Sequence, residues 1–167
     1  MIRYRFCDNM KILFVGINPH YGSFNRGVPF SNNKTFWYLL RRSGAIDERE
    51  EDLRDDKMLR QIYLRRFSQV YGYGFMNIID RPTRAVSELK KGEEGPGRKR
   101  IVRVVGKYRP QMVCFIGKVA YEKFTGTRDF DFGWQPNIMA SKVYVMHFPI
   151  RGEAVVRIRE LQKLLNQ

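Results

Sequence analysis

The side chains best suited to chemistry lie at the ends of four apolar runs of the sequence. These runs span residues 11–16, 75–79, 112–117 and 142–147. At their ends stand both histidines of the chain, His20 and His147, together with Asn18, Lys118 and Arg151. Such side chains can donate hydrogen bonds, orient a water molecule or bind an anion. The pattern indicates one polar site assembled from the ends of several strands.

The elements that must position this site are short buried strands and amphipathic helices. Apolar runs of this length are typical of strands in a sheet that is covered on both faces. Segments with helical spacing of apolar residues alternate with the runs, and the last of them places Ala154, Ile158, Leu161 and Leu165 on one face. The alternation predicts an α/β fold, a three-layer αβα sandwich with a short, mainly parallel four-stranded sheet, in a single domain of residues 1–167. Ligands of such sheets bind at the carboxyl ends of the strands.

The charge balance points to a polyanionic partner. The 167 residues include 31 Lys and Arg against 17 Asp and Glu, a formal net charge of +14. Such an excess favours nucleic acid over the weaker alternative, an anionic membrane surface. The apolar runs are far shorter than the roughly 20 residues of a membrane helix, and the N-terminus offers no signal-peptide core. We therefore expect no membrane partner and a cytoplasmic protein, associated with the nucleoid through DNA.

The cysteine content argues against a bound metal. Cys7 and Cys114 are the only cysteines and lie too far apart in sequence for a Cys-x-x-Cys motif. With only two histidines to add, the chain lacks the usual ligands of a zinc or iron–sulfur site. We expect no metal and no cofactor.

Four blocks of the sequence form an ordered set of motifs. They are Gly-Ile-Asn-Pro at 16–19, Pro-Phe at 29–30 with Phe-Trp at 36–37, Gly-Phe-Met-Asn-Ile-Ile-Asp-Arg-Pro-Thr at 74–83, and Ile-Gly-Lys-Val-Ala-Tyr-Glu at 116–122. In this order, between about residues 11 and 150, the chain resembles the uracil-DNA glycosylase superfamily, and most closely its mismatch-specific uracil/thymine branch. The resemblance implies a DNA glycosylase that flips a base out of the duplex.

The resemblance also implies roles for individual residues. Asn18 would orient the water that attacks C1′ of the deoxyribose, and Phe30 would stack beneath the flipped base. The amide of Asn77 would read the hydrogen-bonding edge of the base, with Ile17 and His20 completing the base pocket. From the residues alone, Asn18 could instead shape an Asn-Pro turn, and Phe30 could be a core residue.

Two positions depart from the family pattern. His20 stands where the mismatch-specific branch usually has Gly and the classical uracil enzymes have Tyr. It would crowd a thymine methyl and favour uracil, donate a hydrogen bond to another lesion such as hypoxanthine, or simply face solvent. The last block reads His-Phe-Pro-Ile-Arg at 147–151, where most of the superfamily has Asn-Pro-Ser or His-Pro-Ser. His147 could donate to the negative charge that develops on the base O2, or contact a phosphate.

The remaining predicted contacts are with DNA. Gly117 and Lys118 begin a helix after a strand, where backbone N–H groups and one cation suit a phosphate. Phe148 and Ile150 are assigned to DNA contact as well. Arg151 could enter the space vacated by the flipped base, or be a plain surface cation.

These observations predict a monomeric, monofunctional DNA glycosylase of base excision repair. Its partner would be double-stranded DNA containing deaminated or mismatched bases, and its preferred substrate uracil in G·U mismatches, with an abasic site as product. One alternative is a glycosylase with specificity shifted to hypoxanthine or thymine, and a second is a catalytically inactive module that binds lesions. A third is a nucleotide-binding α/β domain whose Gly-Ile-Asn-Pro turn holds a small ligand.

Overall fold

One five-stranded sheet organises the protein, which is described here by a computed structural model of residues 1–167. The strands are β1 (Ile12–Gly16), β2 (Tyr73–Asn77), β3 (Met112–Ile116), β4 (Gly133–Ile138) and β5 (Ser141–Met146). They are arranged in the order β2-β1-β3-β5-β4, and every neighbouring pair is parallel except β4 and β5. The predicted α/β fold with a mainly parallel sheet is confirmed.

Seven α-helices and one short 3₁₀ helix connect and cover the strands. The α-helices are α1 (Tyr21–Arg26), α2 (Thr35–Ser43), α3 (Glu50–Arg54), α4 (Asp56–Arg65), α5 (Gly95–Tyr108), α6 (Lys118–Thr125) and α7 (Ala154–Leu165), and the 3₁₀ helix is Val86–Glu88. No helix is long and apolar enough to cross a membrane. Helix α5 begins at Gly95 within the glycine-rich stretch 92–97, because Pro96 suits the first turn of a helix.

The helices form two layers, one on each face of the sheet. Alternate strand residues such as Phe14 and Cys114 pack with α2, α4 and α7 in one core. Their neighbours, such as Val15 and Phe115, pack with α5 and α6 in a second core. Because successive strand side chains point to opposite faces, an uninterrupted apolar run serves both cores at once. The three-layer sandwich is therefore confirmed.

The prediction of four strands was wrong, because β4 adds a fifth at the sheet edge. Its sequence, Gly-Trp-Gln-Pro-Asn-Ile, is not an apolar run, and its residues are exposed or half-buried. Pro136 lies within it, in a region where the pairing with β5 shifts register. Proline is tolerated on an edge strand, where one row of backbone groups needs no partner. An edge strand of this kind lacks the apolar signature by which the other four were found.

Candidate active site

A cavity of about 280 Å³ opens at the carboxyl ends of the parallel strands. Seven of the side chains predicted from sequence line it, namely Ile17, Asn18, His20, Phe30, Asn77, Phe148 and Ile150. Four other predicted residues, Gly117, Lys118, His147 and Arg151, are not among its lining residues. The fold thus brings together segments from four places in the chain. All the base-pocket candidates line the cavity, together with Asn18 and two of the predicted DNA contacts, Phe148 and Ile150.

Asn18 presents its amide oxygen as an open acceptor in this cavity. Its Nδ2 donates to the carbonyl oxygen of Arg81 at 3.0 Å and to Oγ1 of Thr83 at 2.9 Å. Those bonds fix the amide orientation, because only the nitrogen can donate. No group of the chain donates to Oδ1, which is therefore able to accept a hydrogen bond from a water molecule. Thr83, which holds Asn18 in place, was missed as a site residue by the sequence analysis.

Asn77 is buried, and its side-chain amide has no hydrogen-bond partner within the chain. The residue is 3% exposed and lines the cavity from the carboxyl end of β2. Its backbone oxygen accepts from Arg100 at 2.8 Å, but its side chain takes no part in that contact. A Cβ on Gly16 would lie 2.5 Å from Oδ1 of Asn77, so the glycine of the first motif makes room for this amide. Neither amide atom is fully buried, so both face the cavity and are open to a ligand that can pair with them.

Phe30 is held in an unfavourable backbone conformation with its ring at the cavity. Its φ is +54°, in the left-handed region that a bulky residue rarely adopts. The ring packs against Phe36 and Phe75, with ring centroids 4.7 and 5.8 Å away. Trp37 Nε1 donates to the carbonyl oxygen of Pro29 at 2.7 Å and so anchors the preceding residue. Such strain is found where surrounding contacts fix a residue for function.

His20 caps α1 at the rim of the cavity. Its Nδ1 accepts from the backbone N–H of Gly22 at 3.0 Å. In the neutral ring the proton must therefore be on Nε2, which makes Nε2 a hydrogen-bond donor. The side chain is solvent-exposed and also lines the cavity, so it combines a capping role with access to a bound ligand.

His147 lies outside the cavity and is fixed by Glu160 of α7. Oε1 of Glu160 accepts from the backbone N–H of His147 at 2.9 Å and lies 3.0 Å from its Nδ1. The imidazole stacks on Phe132 at a centroid distance of 3.6 Å, and the ammonium of Lys118 lies 4.6 Å from the centre of the same phenyl ring. Tyr144 also donates to Glu160, and burial, followed by that carboxylate's charge, raises the pKa of the Tyr144 hydroxyl. Two cationic or protonatable groups therefore meet around one exposed aromatic ring.

Gly117 connects β3 to α6 in a conformation that only glycine adopts easily. Its φ is +94°, and a Cβ there would lie 3.3 Å from the ring of Phe148. Its N–H donates to the carbonyl oxygen of Met146 at 2.9 Å. Lys118, the first residue of α6, lies 3.3 Å from Asp131 and remains 41% exposed at its side chain.

The segment between β5 and α7 carries the rest of the predicted DNA contacts. Phe148 and Ile150 reach the cavity from it, while Arg151 is exposed and its side chain has no partner. Buried Arg157 holds this segment, and the sequence analysis missed it together with Glu160. The available signal was two charged residues on the otherwise apolar face of the last helix. No group of three or more His, Cys, Asp or Glu side chains is placed to hold a metal ion.

The fold and the cavity define an α/β protein with an amide-lined site at the carboxyl edge of its sheet. The family model described as Uracil DNA glycosylase superfamily matches residues 4–156. The chain therefore belongs to the uracil DNA glycosylase superfamily, whose members are DNA glycosylases that act in base excision repair.

Proposed function

We propose that this protein is a monofunctional DNA glycosylase that removes uracil from double-stranded DNA, with preference for G·U mismatches. The whole chain would act as one monomeric domain of the mismatch-specific uracil/thymine branch. The observation that carries the proposal is that one cavity contains both groups: the side-chain amide of Asn77, which has no partner in the chain, and Oδ1 of Asn18, which accepts no hydrogen bond from the chain. The first suits a base edge and the second suits a water molecule.

The proposed reaction breaks the bond between C1′ of the deoxyribose and the base nitrogen. The bonding electron pair leaves with the base, so the sugar becomes cation-like while negative charge develops on the base. Asn18 Oδ1 orients a water whose oxygen bonds to C1′, and the water proton passes to solvent or to the departing base. An amide suffices because a cation-like sugar needs a positioned water rather than a strong base. Phe30 supports the flipped base by stacking, and Asn77 pairs with its edge.

The proposed DNA contacts lie beside the cavity. Because His147 is outside the cavity and shares Phe132 with Lys118, we assign these two side chains to a phosphate of the target strand rather than His147 to the base O2. Phe148 and Ile150 would face the extruded nucleotide, and Arg151 would enter the space that it vacates. The net charge of +14 supports sequence-independent affinity for the backbone.

A second candidate substrate is hypoxanthine, and the hydrogen-bond donor that His20 can offer is compatible with it. With Nδ1 engaged by Gly22, the ring can offer Nε2–H at the cavity rim. The carbonyl oxygen of hypoxanthine would accept that hydrogen bond, whereas the amino group of adenine would not. The same donor would read a uracil O4, so His20 is consistent with both bases and disfavours cytosine and adenine.

A single-turnover assay on labelled duplexes tests the proposal. The panel contains G·U, A·U, G·T and hypoxanthine·T pairs, with alkali cleavage to reveal abasic sites. We expect G·U to react fastest, the reaction to be lost in Asn18→Ala, and the exposed Asn137→Ala control to react like the wild type. Fastest cleavage of hypoxanthine would replace the substrate while keeping the mechanism. Tight binding with no abasic product from any duplex would refute the enzyme and leave a lesion-binding module.

A further inference from the structure

The last helix, α7, buries two charged side chains that the proposed chemistry does not use. Arg157 and Glu160 are each 7% exposed. They do not pair with each other, since Glu160 binds His147 and Arg157 has no carboxylate partner. Burying a charge is costly unless its hydrogen bonds are satisfied. The hydrogen-bond partners of Arg157 and Glu160 therefore show which part of the chain these two side chains fix in place.

Arg157 holds the backbone of the segment between β5 and α7. Its Nε donates to the carbonyl oxygen of Phe148 at 2.8 Å, its Nη2 to that of Arg151 at 2.8 Å, and its Nη1 to that of Glu153 at 3.0 Å. Residues 147–153 contain no helix or strand, so no regular backbone ladder fixes their shape. The rigid fork of one guanidinium supplies three fixed points instead.

Glu160 and Gly152 complete this arrangement. Glu160 fixes the beginning of the segment through the backbone N–H and the ring of His147. Gly152 has φ +122°, and a Cβ there would lie 2.6 Å from Nη2 of Arg157, so glycine is required for the guanidinium to come this close. Arg151 has φ +68°, a conformation that costs free energy in a non-glycine residue. The bonds to Arg157 offset that cost.

The segment held in this way carries the side chains that face the extruded nucleotide. We propose that Arg157 is a positioning residue, which holds residues 147–153 in the free protein in the shape needed to keep a flipped base out of the duplex. The inference rests on the proposed function and adds to it a role for the segment of residues 147–153. A segment that is already ordered pays no ordering entropy when DNA binds. Arg157 does not line the cavity and makes no hydrogen bond with Asn18 or Asn77, so we expect the bond-breaking step to depend on it less than base extrusion does.

This separation can be measured with two substrates. One is a G·U duplex, and the other has the same uracil at the centre of a mismatched bubble between duplex arms, where the base is already unpaired and unstacked. We expect Arg157→Lys, which keeps the charge but loses the fork, to slow single-turnover excision about 10- to 100-fold on the duplex and less than about 3-fold on the bubble. The control is Arg159→Lys. Arg159 is an exposed residue of the same helix whose side chain makes no hydrogen bond, and the variant should react like the wild type on both substrates.

Two further readouts separate loop positioning from a loss of folding. Gly152→Ala should reproduce the duplex-selective defect, because its Cβ displaces the guanidinium from a different direction. Trypsin should cleave after Arg151 faster in both variants than in the wild type, while thermal unfolding remains cooperative. An equal loss on duplex and bubble, or no loss on either, would overturn the inference. A wild-type protein inactive on both substrates would overturn the proposed function and the inference with it.

Discussion

Replacing Asn77 by alanine should lower activity and leave stability almost unchanged. Asn77 is 3% exposed, and its amide atoms, which face the cavity, make no hydrogen bond with the chain. Their removal therefore breaks no hydrogen bond within the protein and leaves no buried partner unsatisfied. We expect the free energy of unfolding to change by less than about 1 kcal/mol. Urea denaturation of the wild type and Asn77→Ala measures this change.

The same substitution should slow excision because it removes two hydrogen bonds to the base edge. At about 0.5–1.5 kcal/mol each, they amount to about 1–3 kcal/mol, which corresponds to a roughly 5- to 150-fold loss of single-turnover rate. Asn77→Asp should lose more, because a carboxylate cannot donate and repels the negative charge that develops on the base. Asn137→Ala serves as the control. Unchanged excision by Asn77→Ala would refute base reading by this amide, and a stability loss of several kcal/mol would refute its lack of a partner in the free protein.

Three further predictions concern the pocket walls and the loop behind Asn18. Phe30→Ala should slow excision about 5- to 150-fold in the single-turnover assay by removing a stacking platform worth about 1–3 kcal/mol, and a rate equal to the wild type would place the stacking surface elsewhere. His20→Ser keeps a side-chain oxygen for the N–H of Gly22, so the melting temperature should stay constant. Because the ring is lost, the rate of G·T excision should rise relative to that of G·U. An unchanged ratio of the two rates would exclude His20 as the residue that rejects thymine. A hydrogen bond from Arg81 lowers the pKa of Glu93 from its ordinary 4.5 to about 2. Because the folded pKa is the lower one, the stabilisation is present above pH 4.5 and is lost as the pH falls towards 2, and Glu93→Gln should remove this part of the pH dependence of unfolding. The same pH dependence in the variant would contradict the assignment.

The strands that position the site were predictable because each is covered on both faces. A five-residue strand such as Met112–Ile116 must be apolar throughout, and this leaves a signal that needs no knowledge of its neighbours. The C-terminal end of α2 leaves a local signal as well, since Gly44 follows the helix with φ +86°, a conformation that favours glycine. Strand β4 left no such signal, because an exposed edge strand needs neither apolar residues nor a full set of backbone partners.

The sequence by itself determined the α/β class, the net positive charge and the segments that meet at the carboxyl edge of the sheet, because the burial pattern and the charge can be read from the residues one by one. Only the tertiary structure decided which of those side chains have partners. It engages Nδ2 of Asn18 with Thr83, leaves the amide of Asn77 unpaired, and places His147 beside Glu160 rather than in the cavity. Arg157 shows the same limit, since three carbonyl oxygens become its partners only once the chain has folded back on α7. Hydrogen bonds between residues far apart in sequence depend on distances of a few tenths of an ångström, and no local pattern of residue types encodes such distances.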